Sequence, residues 1–175
     1  MSDRLPQSID PLQLADSRGA LQGKLPLNLF DRLADSLYQN EGCVDVSLVF
    51  SREGKLAKID GQIKSTLALE CQNCLGPVEW VVNCKVRLGV VASIDEADRL
   101  PEDREPLLVQ SEGKVLLKDL VEDELLLALP TFPKHSHDCL SQANHAGSQA
   151  MLADLQAVSN ENPFSILAKL KNTGD

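Results

Sequence analysis

The sequence predicts an α+β domain: an antiparallel sheet, a long hairpin and meander over residues 43–90, packed by two or three helices. Two observations carry this. From Ile59 to Cys71 the apolar or small residues fall on odd positions, with Lys58, Asp60, Gln62, Lys64 and Thr66 between them. After Cys71-Gln72-Asn73-Cys74-Leu75-Gly76-Pro77 the apolar set moves to even positions, Val78 to Val90. Period-two alternation of this length describes two long paired strands with one face buried and one solvated. The second observation is a helical periodicity on either side of the hairpin.

The elements follow in order. Residues 1–25 are mixed, with the apolar pair Leu12/Leu14 and the punctuation of Gly19 and Gly23. Leu29, Phe30, Leu33, Ala34 and Leu37 recur at helical spacing, so a helix is expected over 28–38, capped by Asn28. Val44, Val46, Leu48 and Phe50 alternate as a strand, and Ser51-Arg52-Glu53-Gly54 turns it into the hairpin. If Cys71 lies opposite Val78, Lys64 faces Lys85 and Gln62 faces Arg87. The solvated face then gathers Lys58, Lys64, Lys85 and Arg87. This is either an ordinary solvated sheet or a local contact for RNA phosphate.

Residues 91–106 read as a mobile acidic loop, and Leu107-Leu108-Val109 as a further strand. A second helix is expected over 116–129, stopped by Pro130. On its wheel Glu124 falls within the apolar stripe while Glu122 and Asp123 point away. A carboxylate there needs a partner or a shifted pKa, so Glu124 is a candidate binding residue. The domain is expected to span 1–134, followed by a polar linker over 135–161 and a short C-terminal helix and tail over 162–175.

Charge and composition narrow the function. The net charge is −9 and only 3% of residues are aromatic, which argues against a chain-wide nucleic-acid grip and against base-stacking platforms. No apolar run reaches the ~20 residues of a membrane span, and the N-terminus lacks a signal-peptide layout. A cytoplasmic address is expected, with the five cysteines reduced or metal-bound.

Cys71-x-x-Cys74 before Leu75-Gly76 is half a zinc knuckle, because this spacing lets two thiolates reach one tetrahedral ion. His135, His137 and Cys139 offer further ligands. The candidate site is Cys71, Cys74, His135 and Cys139 with structural zinc; the alternative is a hairpin tip with two ordinary thiols. A thioredoxin-like motif needs a helix N-terminus, which this turn lacks, although a depressed thiol pKa at Cys71 or Cys74 would be its mark. No phosphate-cradling loop or paired-carboxylate motif is present, so no enzymatic activity is expected.

Leu69-Glu70-Cys71-Gln72-Asn73-Cys74, the run Val121-Glu122-Asp123-Glu124-Leu125-Leu126-Leu127-Ala128-Leu129-Pro130, then His135, Cys139 and Asn162-Pro163-Phe164 together resemble the bacterial YceD family. The resemblance spans nearly the whole chain. It implies a cytosolic, non-enzymatic factor supporting synthesis, processing or stability of 23S ribosomal RNA, commonly encoded beside a large-subunit ribosomal protein. The implied partners are 23S rRNA or its precursor, or a basic large-subunit ribosomal protein. Some relatives carry more cysteines in the segment matching 135–145, where this chain has Cys139 alone. The alternative class is a zinc-stabilised interaction adaptor unconnected with ribosomes.

Overall fold

The structure is a computed structural model that describes residues 5–109 and 113–139. Every element lies in the first of two compact units, Met1–His135; the second, Ser136–Asp175, falls almost wholly outside the described residues, as do the expected linker and C-terminal helix. In chain order the elements begin with β1 (Ser8–Ile9), α1 (Pro11–Asp16), β2 (Ala20–Pro26), α2 (Asp31–Ala34), β3 (Leu37–Gln39) and β4 (Cys43–Glu53). They continue with β5 (Leu56–Glu70), β6 (Pro77–Val91), α3 (Ile94–Ala97), β7 (Glu105–Leu108), β8 (Val115–Leu116) and α4 (Leu117–Leu127).

The α+β class and the meander hold. The main sheet runs β2-β4-β5-β6-β7, with β3 also on β5, and a small ribbon joins β1 to β8. Pairing is antiparallel except between β6 and β7, which are parallel. The odd residues of β5 and even residues of β6 supply the core, where Ile59, Ile63 and Leu67 are fully buried beside Val82 and Val86. Alternation separated the two faces because one side is covered and the other is wet.

Four expectations change. The hairpin closes two residues sooner: Leu69 lies opposite Val78, so Lys64 faces Asn83, Gln62 faces Lys85 and Asp60 faces Arg87. The cause is at the tip, where the Cys71 N–H donates to the Gly76 carbonyl at 2.9 Å and leaves a shorter loop. No like charges oppose each other there.

The helix over 28–38 is broken. Leu27–Leu29 forms a 3₁₀ turn, Phe30 is extended and α2 has a single turn. Leu27, Phe30 and Leu33 are buried at strict three-residue spacing, while Leu29 is exposed, a pattern suited to the tighter helix. Residues 1–25 hold β1, α1 and the edge strand β2, whose apolar signal is weak because only Leu25 is buried along it. Asp10 caps α1 by accepting from the N–H groups of Leu12 and Gln13, both at 3.0 Å.

The stretch 91–106 is not an open loop. Ser93 Oγ caps α3 and the Glu96 carboxylate accepts from Ala92 N–H. Arg104 reaches the Asp60 carboxylate at 3.0 Å before β7 begins. The strand expected at 107–109 exists, shifted to Glu105–Leu108.

Last, α4 has the expected length but a different buried carboxylate. Glu122 is 2% exposed, whereas Glu124 is half-buried. The backbone of α2 explains the inversion. Its preceding residue Phe30 offers no side-chain cap, and the Arg32 and Leu33 N–H groups instead donate to Glu122 Oε1 at 2.7 and 3.0 Å. Glu122 thus caps a second helix across the fold, and Arg32 Nε pairs with its other oxygen at 3.0 Å. A wheel drawn for α4 alone contains no term for a donor on another element.

Candidate metal centre

The hairpin tip is built by its own backbone. Leu75 N–H returns to the Cys71 carbonyl at 2.9 Å, and Leu75 adopts the left-handed region at φ 58°. Gly76 follows, where an added Cβ would lie 3.6 Å from Cys74 Sγ. Gln72 N–H donates to the Pro133 carbonyl at 2.9 Å, which ties the segment after α4 to the tip and delivers His135.

His135 is oriented by its other nitrogen. Nε2 lies 3.0 Å from the Pro77 carbonyl, which can only accept, so the proton sits on Nε2. Nδ1 then presents its lone pair toward Cys74 Sγ, 3.6 Å away. This is the arrangement of a metal-ligating imidazole, with a backbone carbonyl fixing the tautomer. Cys139 is 5% exposed, and the ligand atoms of Cys71, Cys74, His135 and Cys139 all lie within 4.8 Å of one another. His137 is exposed and stands outside the set.

The donors fit zinc. A tetrahedral ion with bonds of ~2.3 Å to sulfur and ~2.1 Å to nitrogen places neighbouring ligand atoms roughly 3.6–3.8 Å apart. The Cys74–His135 separation already matches, and no pair needs a contraction of more than about 1 Å. Three sulfurs and one imidazole make a closed structural set without an open catalytic position.

Backbone N–H groups of Cys74, Asn73 and His135 hold the Cys71 thiol down to about 5 against the opposing effect of burial, with the Cys74 N–H contributing most. Such a depressed value is also the mark of a redox thiol. Here the sulfur is fully buried, the motif joins antiparallel strands, and two further donors converge on it, so the lowered value suits a metal ligand. Burial pushes the Cys84 thiol up instead, and neither Cys84 nor exposed Cys43 joins the cluster.

The other candidate residues fall elsewhere. Lys58, Lys64, Lys85 and Arg87 do share the solvated face, but two are engaged. Lys58 pairs with Glu53, and Arg87 lies 3.8 Å from Asp103. Lys64 and Lys85 are exposed and unpaired among the described residues. Among the described residues the Glu124 side chain has no hydrogen bond or ion pair; burial raises its pKa first, and the charges of Glu105 and Asp123 raise it further. The link between Arg32 and buried Glu122 had no local signature, because its partners are far apart in the chain.

Among the described residues no helix is long and apolar enough to cross a membrane. The family model described as "Large ribosomal RNA subunit accumulation protein YceD" matches residues 59–171. A relative from Haemophilus influenzae, named "Large ribosomal RNA subunit accumulation protein YceD", is 34% identical over 169 residues, covering 96% of this chain and 97% of its own. No solved structure matches. The matched region holds the hairpin, α4 and all four donors, and the chain belongs to the YceD family.

Proposed function

We propose that this protein supports accumulation of the large-subunit ribosomal RNA, in the cytoplasm and by binding rather than catalysis. The observation that carries the reading is the end-to-end similarity to a relative bearing that name. The closed donor set is consistent with it, since four protein ligands brace a fold and leave no position for a substrate. In this reading zinc, when bound, supplies structural bracing alone: it joins the hairpin tip to the segment after α4.

Binding has two available surfaces. The solvated hairpin face offers Lys64 and Lys85 to phosphate, within a surface otherwise balanced by local acids. The overall charge of −9 favours a basic large-subunit protein as the other partner class. The test is a strain lacking the chain, with 23S ribosomal RNA measured against 16S and crosslinked RNA and protein recovered together. The expected result is a selective fall in 23S RNA, restored by the wild-type protein. Unchanged 23S levels would overturn the reading.

A second reading, a zinc-stabilised adaptor unconnected with ribosomes, draws on the donor set itself. Stoichiometric zinc with no ribosomal co-sedimentation would favour it.

A further inference from the structure

A cleft of about 370 Å³ opens beside the free flank of the sheet, between β6, β7 and α4. Its apolar lining includes Leu88, Leu107, Leu120 and Leu127. Leu127 is 74% exposed at the end of α4, although Leu117, Leu120 and Leu125 of the same helix are buried. Glu105 and Glu124 enter the same cleft from opposite elements.

Several carboxylates of this molecule are paired within the fold: Asp60 with Arg104, Asp45 with Lys24, Asp31 with Lys118 and Glu122 with Arg32. Among the described residues the side chains of Glu124 and Glu105 have no ion pair or hydrogen bond, and the Glu105 charge acts on Glu124. Two like charges beside apolar surface are a standing cost that an arriving cation would relieve.

We propose that this cleft receives a lysine- or arginine-bearing apolar peptide segment of a partner protein, an inference that rests on the binding function proposed above. The long cationic side chain lays its methylene stem on the leucines and its charged head between Glu105 and Glu124. A neighbouring apolar side chain of the segment covers Leu127. The cleft has the volume for such side chains, not for a folded domain. Charge selects the class of partner: the same two carboxylates repel a phosphate backbone, so this surface is for protein, and any RNA contact belongs on the opposite, solvated face.

The test uses the full-length ¹⁵N-labelled protein with three probes. They are a short peptide alternating arginine and leucine, the same peptide with glutamate replacing arginine, and a single-stranded RNA oligonucleotide. The expected result is shift changes at Leu107, Leu120, Glu124 and Leu127 with the arginine peptide alone. The affinity should weaken with salt and fall at least about tenfold in the Glu105→Gln, Glu124→Gln double variant, which loses no ion pair and keeps its melting temperature. Equal binding of the glutamate peptide, RNA shifts at these residues, or unchanged affinity in the double variant would each overturn the proposal. A complementation readout separates it from the function itself. If the wild type restores 23S RNA and the double variant restores it equally, the cleft is wrong and the function stands. If the wild type fails to restore it, the function is wrong whatever the peptide does.

Discussion

The tip of the long hairpin and the solvated face of its middle both concentrate polar side chains, yet they behave in opposite ways. At the tip, groups from two distant stretches converge: the two knuckle thiols, and His135 with Cys139. Their backbone surroundings serve the site as well, with N–H groups aimed at Cys71 sulfur and the Pro77 carbonyl fixing the imidazole. On the face, two of the four charges that look clustered in the chain are answered by neighbours, Lys58 by Glu53 and Arg87 by Asp103. Proximity alone therefore says little. A site is marked by donors that converge and are held ready for something the chain does not itself supply.

The largest expected effect breaks the tip. Chelating the metal, or replacing Cys74 by Ala, should remove more than about 4 kcal/mol of stability, within the range of lost metal sites. Calorimetry with and without chelator checks it, alongside stoichiometric zinc by mass spectrometry. A melting curve indifferent to chelator would reduce the tip to ordinary thiols.

Glu122 and Glu124 give the next contrast, inverted from the helix-wheel expectation. Glu122→Gln weakens a charge-assisted cap on two backbone N–H groups and the contact with Arg32, and should cost about 2–3 kcal/mol. Denaturant unfolding of the two single variants decides the order. Equal midpoints would mean the cross-fold cap contributes nothing.

A gain is expected from Leu75→Gly at the tip. Leu75 holds φ 58° and is 64% exposed, so glycine should relieve about 1 kcal/mol of backbone strain with little lost burial. The melting temperature should rise while zinc stoichiometry is unchanged.

Glu124→Gln should be neutral to slightly stabilising at neutral pH. The folded-state pKa of Glu124 is raised, chiefly by burial, so the folded state binds its proton more tightly than the unfolded chain. Its ionisation therefore opposes folding as pH rises through that raised value. The difference between variant and wild type should vanish below the ordinary glutamate range. Melting temperatures across pH test the sign. Smallest of all, Lys64→Glu with Lys85→Glu should move the melting temperature little, corresponding to within about 0.5 kcal/mol, since neither lysine is paired. Any salt-sensitive RNA association should weaken in the same protein.

The chain by itself determined the faces of the sheet, because side chains alternate at every residue and a covered face must be apolar throughout. Ile59 to Cys71 and Val78 to Val90 are buried where the alternation puts them, apart from partial exposure at Gly61, Trp80 and Cys84. It also marked the four metal donors by residue type, since Cys-x-x-Cys and the nearby His135 and Cys139 are rare enough to notice. Pairing register was not carried by the alternation: one backbone bond in the turn, from Cys71 to Gly76, moved every cross-strand neighbour of Lys64 and Lys85. Only tertiary structure could decide which carboxylate of α4 is buried. The unsatisfied N–H groups that draw Glu122 inward belong to Arg32 and Leu33, whose separation along the chain carries no periodic trace.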